Sequence, residues 1–242
     1  MREPGACSPE CAMRDARSLE HISVLDGLPV AGLERLALDC RWRDFERGSE
    51  VLSAEAENAD VHFISSGRVR VTFYSPSGRE VAFRELSAGA SFGELSAIDG
   101  QARSASVVAL DDIRLATITR DRFLRLLRES PEVSGNVLRS LAALVRDLSS
   151  RIVDTTVLTV PQRVRAEIVR LARGTGHKGK SALILKSPTH AELASQIGAT
   201  REAVSRELSR MAGDGLVERR GRDLQVHDVA ALQSSIETLR DQ

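Results

Sequence analysis

The sequence predicts an α+β chain: a β-barrel or jelly roll, then one long helix, then a C-terminal helical pair flanked by a short hairpin. Three observations carry this. Between Arg41 and about Thr119 short alternating segments recur at close spacing. After Pro131 the apolar period becomes helical, and past Pro161 the charge balance changes sign. From Pro161 to Arg222 there are 13 basic and 6 acidic residues, a balance of +7. The whole chain carries 34 of each, so the remainder stands at −7. An acidic body with a basic C-terminal third points to a polyanionic partner for that third alone.

A chain of 242 residues fits one large or two modest domains. With 42% hydrophobic and 28% charged residues it can bury a core and keep its surface solvated, which excludes a mainly disordered protein. Aromatics at 3% are too few for a base-stacking surface of the single-strand-binding type. No apolar run approaches the roughly 20 residues that span a bilayer. Met1-Arg2-Glu3-Pro4 leads into no signal-peptide core. A cytoplasmic protein without a membrane partner is expected. Cys7, Cys11 and Cys40 form an odd, sparse set, which argues against a disulfide scaffold. They also fall short of the four ligands a structural metal site wants, so free thiols and no metal are expected.

Residues 1–19 carry little periodicity and are expected as a disordered leader. Ile22, Leu25, Leu28, Leu33, Leu36 and Leu38 then predict short helical pieces broken at Gly27 and Pro29. Strands are predicted at Val61–Ile64, Val69–Phe73, Val81–Phe83, Ser106–Val108 and Ile113–Ile118. Turn signals separate them at Gly48, Ser65-Ser66-Gly67, Pro76-Ser77-Gly78, Gly89 and Gly100. This places the barrel domain at 20–130. A helix with its hinge fills 131–158, and Pro161 opens a second domain over 159–242.

Along the long helix Val137, Leu141, Leu144, Leu148 and Ile152 are spaced four, three, four and four, an a/d-like seam of about two heptads. A helix packed on its own barrel would show such a seam too. The flanking Arg139, Arg146 and Arg151 weigh toward a helix that pairs with its own copy in a homodimer.

Two constellations carry chemistry. The first is Phe92-Gly93-Glu94-Leu95 with Arg103-Ser104-Ala105 shortly after it, inside the strand-rich region. Gly93 lets backbone N–H groups approach a ligand closely, Glu94 can accept from a sugar hydroxyl, and the fork of Arg103 matches a phosphate. Two readings stand side by side: the two motifs form a ligand site, or Glu94 and Arg103 pair with each other across a surface loop.

The second runs from Pro188 to Leu208. Thr189 and Glu192 form a T-x-x-E capping box, Gly198 allows a tight turn, and Thr200 can cap a second helix. On that helix Val204, Leu208 and Met211 face a core, while Arg201, Glu202, Ser205 and Arg206 lie on the opposite face. Arginine pairs bidentately with guanine and glutamate accepts from cytosine N4, so these types in a basic region point to double-stranded DNA. Leu216–His227 then reads as two short strands around a basic glycine turn. That is a wing, with Arg219, Arg220 and Arg222 available to phosphates.

The order of a barrel with F-G-E-L and R-S-A, an apolar-seamed helix and a helix-turn-helix with R-E-x-V-x-R resembles the CRP/FNR family of bacterial transcription regulators. The resemblance covers nearly the whole chain after about residue 20 and looks most like the cyclic-nucleotide-binding branch. It implies a cyclic-nucleotide-binding domain followed by a winged helix-turn-helix. It further implies cyclic AMP or cyclic GMP as allosteric ligand, a homodimer, a palindromic TGTGA-like DNA site and RNA polymerase as partner. By the same resemblance Gly93 and Glu94 would hold the ribose 2′-hydroxyl and Arg103 with Ser104 the cyclic phosphate, with Leu95 and Ala105 also in the nucleotide site. The purine would be met from Leu148 and Ser149, where the family has Thr-Ser; Ser149 matches and Leu148 does not. Thr189, His190, Thr200, Arg201, Glu202, Ser205, Arg206, Arg219 and Arg222 would contact DNA, with His190 where the family carries a phosphate-binding arginine.

Other readings compete. An iron–sulfur sensor of the same family would need a cysteine cluster whose spacing Cys7, Cys11 and Cys40 do not match. A haem sensor could use His62 or a cysteine as axial ligand, and a constitutively active member would need no ligand at all. A regulatory module of a kinase or channel lacks its kinase or membrane segment here. No nucleophile–base pair, metal triad or P-loop marks an enzyme.

Overall fold

The computed structural model describes residues 15–74, 80–177 and 179–238. The chain forms two compact units, Met1–Leu144 and Val145–Gln242, so the division falls within the long helix.

In the first unit two four-stranded antiparallel sheets form a sandwich, the open form of the expected barrel. One holds β1 (Arg41–Phe45), β3 (Val61–Ser66), β6 (Ser91–Phe92) and β8 (Ile113–Ile118), in the order β1-β8-β3-β6. The other holds β2 (Glu50–Leu52), β4 (Arg68–Tyr74), β5 (Glu80–Ser87) and β7 (Ser106–Ala109), in the order β2-β7-β4-β5. Alternation along β3 and β8 serves two cores. Ile64 and Leu115 join Val69, Phe92 and Val107 between the sheets. Val61, Phe63, Ala116 and Ile118 face the other way, under a helical cover. Both faces of these central strands are buried, which is why Val61–Ile64 has no polar-out alternation.

The helical cover comprises residues 15–19, a 3-10 turn at Ser23–Leu25, α1 (Val30–Asp39), α2 (Glu94–Asp99), α3 (Arg120–Glu129) and the start of α4 (Pro131–Val157). The expected leader is therefore shorter than 1–19. Residues 15–19 are helical and bury Ala16 and Leu19 in this core, while residues 1–14 lie outside those described.

The apolar seam of α4 needs a correction. Val137 is buried in the first unit's core, with Leu141 packed against it. The stripe that faces solvent is Leu138, Val145 and Ile152, spaced by seven and 66%, 62% and 66% exposed, so of the expected seam it keeps Ile152. The helix is apolar on more than one side, and spacing alone cannot assign the sides.

The second unit contains α5 (Val160–Gly174), β9 (Ala182–Ile184), α6 (His190–Ile197), α7 (Arg201–Gly213), β10 (Val217–Arg220), β11 (Asp223–Val226) and α8 (Val229–Thr238). Thr159 caps α5, its backbone N–H donating to Gln162 Oε1 at 2.9 Å. The strands make a small sheet ordered β10-β11-β9. Helices and sheet close on Ile168, Leu193, Val204, Met211, Val226 and Leu232. A buried ion pair of 2.7 Å, Arg165 Nε to Glu207 Oε1, fastens α5 to α7.

Candidate functional site

One cavity in the first unit gathers Gly93, Glu94, Leu95, Arg103, Ser104 and Ala105, together with Arg84 of β5 and Leu144 of α4. Gly93 makes the turn from β6 into α2 at φ +91°, a region that L side chains avoid. Its carbonyl accepts from Arg103 Nη1 at 3.1 Å. Arg103 Nη2 donates to Asn58 Oδ1 at 2.9 Å and to the Asp60 carbonyl at 2.7 Å. Those three bonds leave Nε and one Nη1 N–H of the fork, and the buried Nε has no partner among the described residues. Glu94 presents a second orphan, the buried Oε2. Burial pushes its carboxyl above the usual range, against its own backbone N–H and the charges of Arg84 and Arg103. No ion pair joins Glu94 to Arg103 among the described residues, so the alternative of a simple surface pair is not realised; Arg103 is held by Asn58, Asp60 and Gly93 instead.

An orphan carboxylate oxygen and an orphan guanidinium N–H in one cavity are a complementary pair. They fit a ligand that offers a hydroxyl donor and an anionic acceptor. Beside them His62 packs against Phe92, ring centroids 4.8 Å apart, with Nδ1 2.9 Å from Thr117 Oγ1. Burial, followed by the charges of Arg103, Arg41 and Arg43, pushes the imidazole down to about 3. Among the described residues no cluster of three or more His, Cys, Asp or Glu is disposed to hold a metal; Cys7 and Cys11 lie outside them. Burial raises the Cys40 thiol to about 12, which keeps it protonated.

Leu148 and Ser149 fall on the part of α4 that belongs to the second unit. Leu148 lines a separate cavity there, with Arg163, Arg170 and Gln196, and Ser149 is exposed. Arg84 was not anticipated on the wall of the first cavity, nor Asn58 and Asp60 as the acceptors that seat Arg103. Asn58 and Asp60 act through a loop oxygen and a backbone carbonyl, which leave no pattern in a sequence.

In the second unit the capping box forms as spelled: Thr189 Oγ1 accepts from Glu192 N–H at 3.3 Å, and Glu192 Oε2 from Thr189 N–H at 2.7 Å. Gly198 turns the chain at φ +63°, and Thr200 caps α7 by accepting from Ala203 N–H at 3.3 Å. Arg201, Glu202 and Arg206 are exposed, while Val204, Leu208 and Met211 are buried. Ser205 is half-buried because His190 Nδ1 holds its hydroxyl at 2.7 Å, tying α6 to α7. Burial and then the charges of Arg219 and Arg201 lower the His190 pKa, which keeps the imidazole neutral and places two guanidiniums near the start of α6. On the hairpin Arg219 and Arg222 are exposed, whereas Arg220 is paired with Glu218 at 2.8 Å. Among the described residues Arg201 and Arg206 make no ion pair, so this face, with Glu202 as its one carboxylate, carries an excess of positive charge that suits phosphates.

A model of the cyclic nucleotide-binding domain matches residues 42–130, and one of the Crp-like helix-turn-helix domain matches residues 162–235. The CRP-like cAMP-activated global transcriptional regulator of Mycobacterium tuberculosis is 29% identical over 212 residues, 87% of this chain and 94% of that protein. The cyclic AMP receptor protein of Thermus thermophilus is 31% identical over 173 residues, 72% and 77% of the two chains. In fold the chain is similar to a CooA mutant from Carboxydothermus hydrogenoformans. The TM-score is 0.71 at 23% identity, over 82% of this chain and 88% of that one.

Proposed function

Because this chain belongs to the CRP/FNR family of DNA-binding transcription regulators, with a cyclic nucleotide-binding domain and a Crp-like helix-turn-helix, we propose that a cyclic nucleotide in the first unit's cavity governs its binding to DNA. The observation that carries this is the pair of orphans, Glu94 Oε2 and Arg103 Nε, in one cavity. Cyclic AMP or cyclic GMP supplies what they lack: a ribose hydroxyl for Glu94 and an anionic phosphate for Arg103, with Gly93, Leu95, Ser104 and Ala105 completing the wall. The relatives named cAMP-activated support a cyclic nucleotide, and the match of Arg201, Glu202 and Arg206 on α7 to the family's base-reading residues implies a TGTGA-like palindrome.

The chain acts as a homodimer in the cytoplasm. The outward stripe of Leu138, Val145 and Ile152 supports a helix paired with its copy, and Ser149, on the same face as Val145 and Ile152, would stand at that seam. Two reading helices then meet successive major grooves about 34 Å apart. Ligand shifts the population toward the conformer whose heads match that spacing, and RNA polymerase is the further partner.

Calorimetry of the purified protein with cyclic AMP and with cyclic GMP, followed by gel shifts in the presence of each, tests the reading. At least one nucleotide binds and raises DNA affinity, and Arg103→Ala binds neither measurably. Binding of neither nucleotide by the wild type, or normal binding by Arg103→Ala, removes the pocket assignment and leaves a family member that senses another signal or none.

A further inference from the structure

Arg84 occupies an inward position of a sandwich strand. On β5 it stands opposite Val71 of β4, and Val71, Arg84 and Leu86 all line the cavity. Glu85 between them turns to the other face, paired with Arg70 at 2.7 Å. A charged residue where the two-residue period calls for an apolar one breaks the local rule, as functional positions do. Its neighbours on the wall include Leu52, Phe92 and Val107. Among the described residues its guanidinium makes no hydrogen bond or ion pair, though its charge acts on Glu94 more strongly than that of Arg103 does. Arg103 already has three acceptors; Arg84 has five donors and none. A half-buried cation on an apolar wall is costly unless something in the cavity accepts from it.

We propose that Arg84 determines ligand specificity by reading the base, selecting a purine that carries an oxo group at C6 over one that carries an amino group. The inference rests on the nucleotide reading above. A guanidinium only donates. Guanine offers O6 and N7, two acceptors in one plane that match the fork, whereas adenine offers N7 beside an amino group that also donates. Leu144, the residue of α4 at this cavity, is apolar and brings no hydroxyl to satisfy that amino group.

The test is calorimetry of the full chain with cyclic GMP and with cyclic AMP, on wild type, Arg84→Gln and Arg84→Ala, with melting curves to show which variants are folded. Wild type binds cyclic GMP at least tenfold more tightly. Arg84→Ala loses that preference, and Arg84→Gln, whose amide both donates and accepts, lowers the ratio tenfold or inverts it. A wild-type preference below tenfold, or a ratio unchanged in a folded variant, overturns the role of Arg84 while the nucleotide reading stands. If wild type binds neither nucleotide, that reading falls and this one with it.

Discussion

Gly93 and Arg103 are packed so closely that a Cβ on the glycine would stand 2.7 Å from Arg103 Nη1, and equally 2.7 Å from the Asp60 carbonyl oxygen. The second neighbour is backbone, so it cannot swing aside. The positive φ of 91° adds strain for any L side chain. Gly93→Ala is therefore expected to cost about 1–3 kcal/mol of stability. It also pushes the guanidinium off its three acceptors, and nucleotide affinity drops at least tenfold. Melting curves and calorimetry read the two effects. Normal affinity in a destabilised variant would show that the ligand does not need Arg103 in this seat.

His62 predicts an acid limit to the sandwich. Its pKa is about 3 in the fold against an ordinary value of 6.5, with burial the first cause. Below pH 6.5 the unfolded chain binds a proton that the folded one refuses. The stability His62 confers is whole above that pH and drains away as pH falls toward 3. At pH 5 the loss is about 2 kcal/mol. Urea unfolding followed by the fluorescence of Trp42, the chain's one tryptophan, compares pH 7.5 with pH 5. His62→Gln has no such proton to take up, so its stability changes less between the two. An equal loss in wild type and variant would move the acid sensitivity elsewhere.

Much of this was legible before any coordinates, and the pattern of success is physical. The helix-turn-helix is spelled by local rules: Thr189 with Glu192, Gly198, Thr200, each acting within four residues of itself. Such rules survive without tertiary context. What failed needed long-range information. The three-residue strand β9 forms only because β11 is beside it. Arg84 could not be assigned a face, because the register of β4 and β5 slips at Val71 and Thr72 and parity does not carry across a bulge. The α4 seam failed differently, since Val137 and Leu138 both head apolar rows and only packing decides which row is inward.

That outward row makes the dimer testable. Val145→Glu combined with Ile152→Glu places like charges at the centre of the proposed helix pair, where each copy would face its own counterpart. Light scattering at micromolar concentration should give a dimer for wild type and a monomer for the double variant. The two sites are more than half exposed, so the fold of each chain is untouched and its melting curve stays close to that of wild type. A wild-type monomer with and without nucleotide would remove the homodimer.

The reading helix separates specificity from affinity. Arg206 is exposed on α7 and unpaired among the described residues, four residues after Glu202. Reading a guanine bidentately, Arg206 should lose about 1–3 kcal/mol on the cognate site when changed to alanine, and far less on random DNA. Glu202→Ala should relax discrimination at the cytosine position. Its non-specific affinity should hold or rise, since a negative charge near phosphates disappears. The wing behaves otherwise. Arg219 bonds back to the Gly221 carbonyl at 3.2 Å and stays exposed, and Arg222 lies in the turn, so both suit phosphates rather than bases. Arg219→Ala and Arg222→Ala should weaken binding equally across sequences and flatten its salt dependence by about one phosphate each. A gel-shift panel over single-base variants at fixed salt, repeated at a second salt, resolves all four. Base preferences left intact in Arg206→Ala, with a uniform loss, would mean that another element reads the operator.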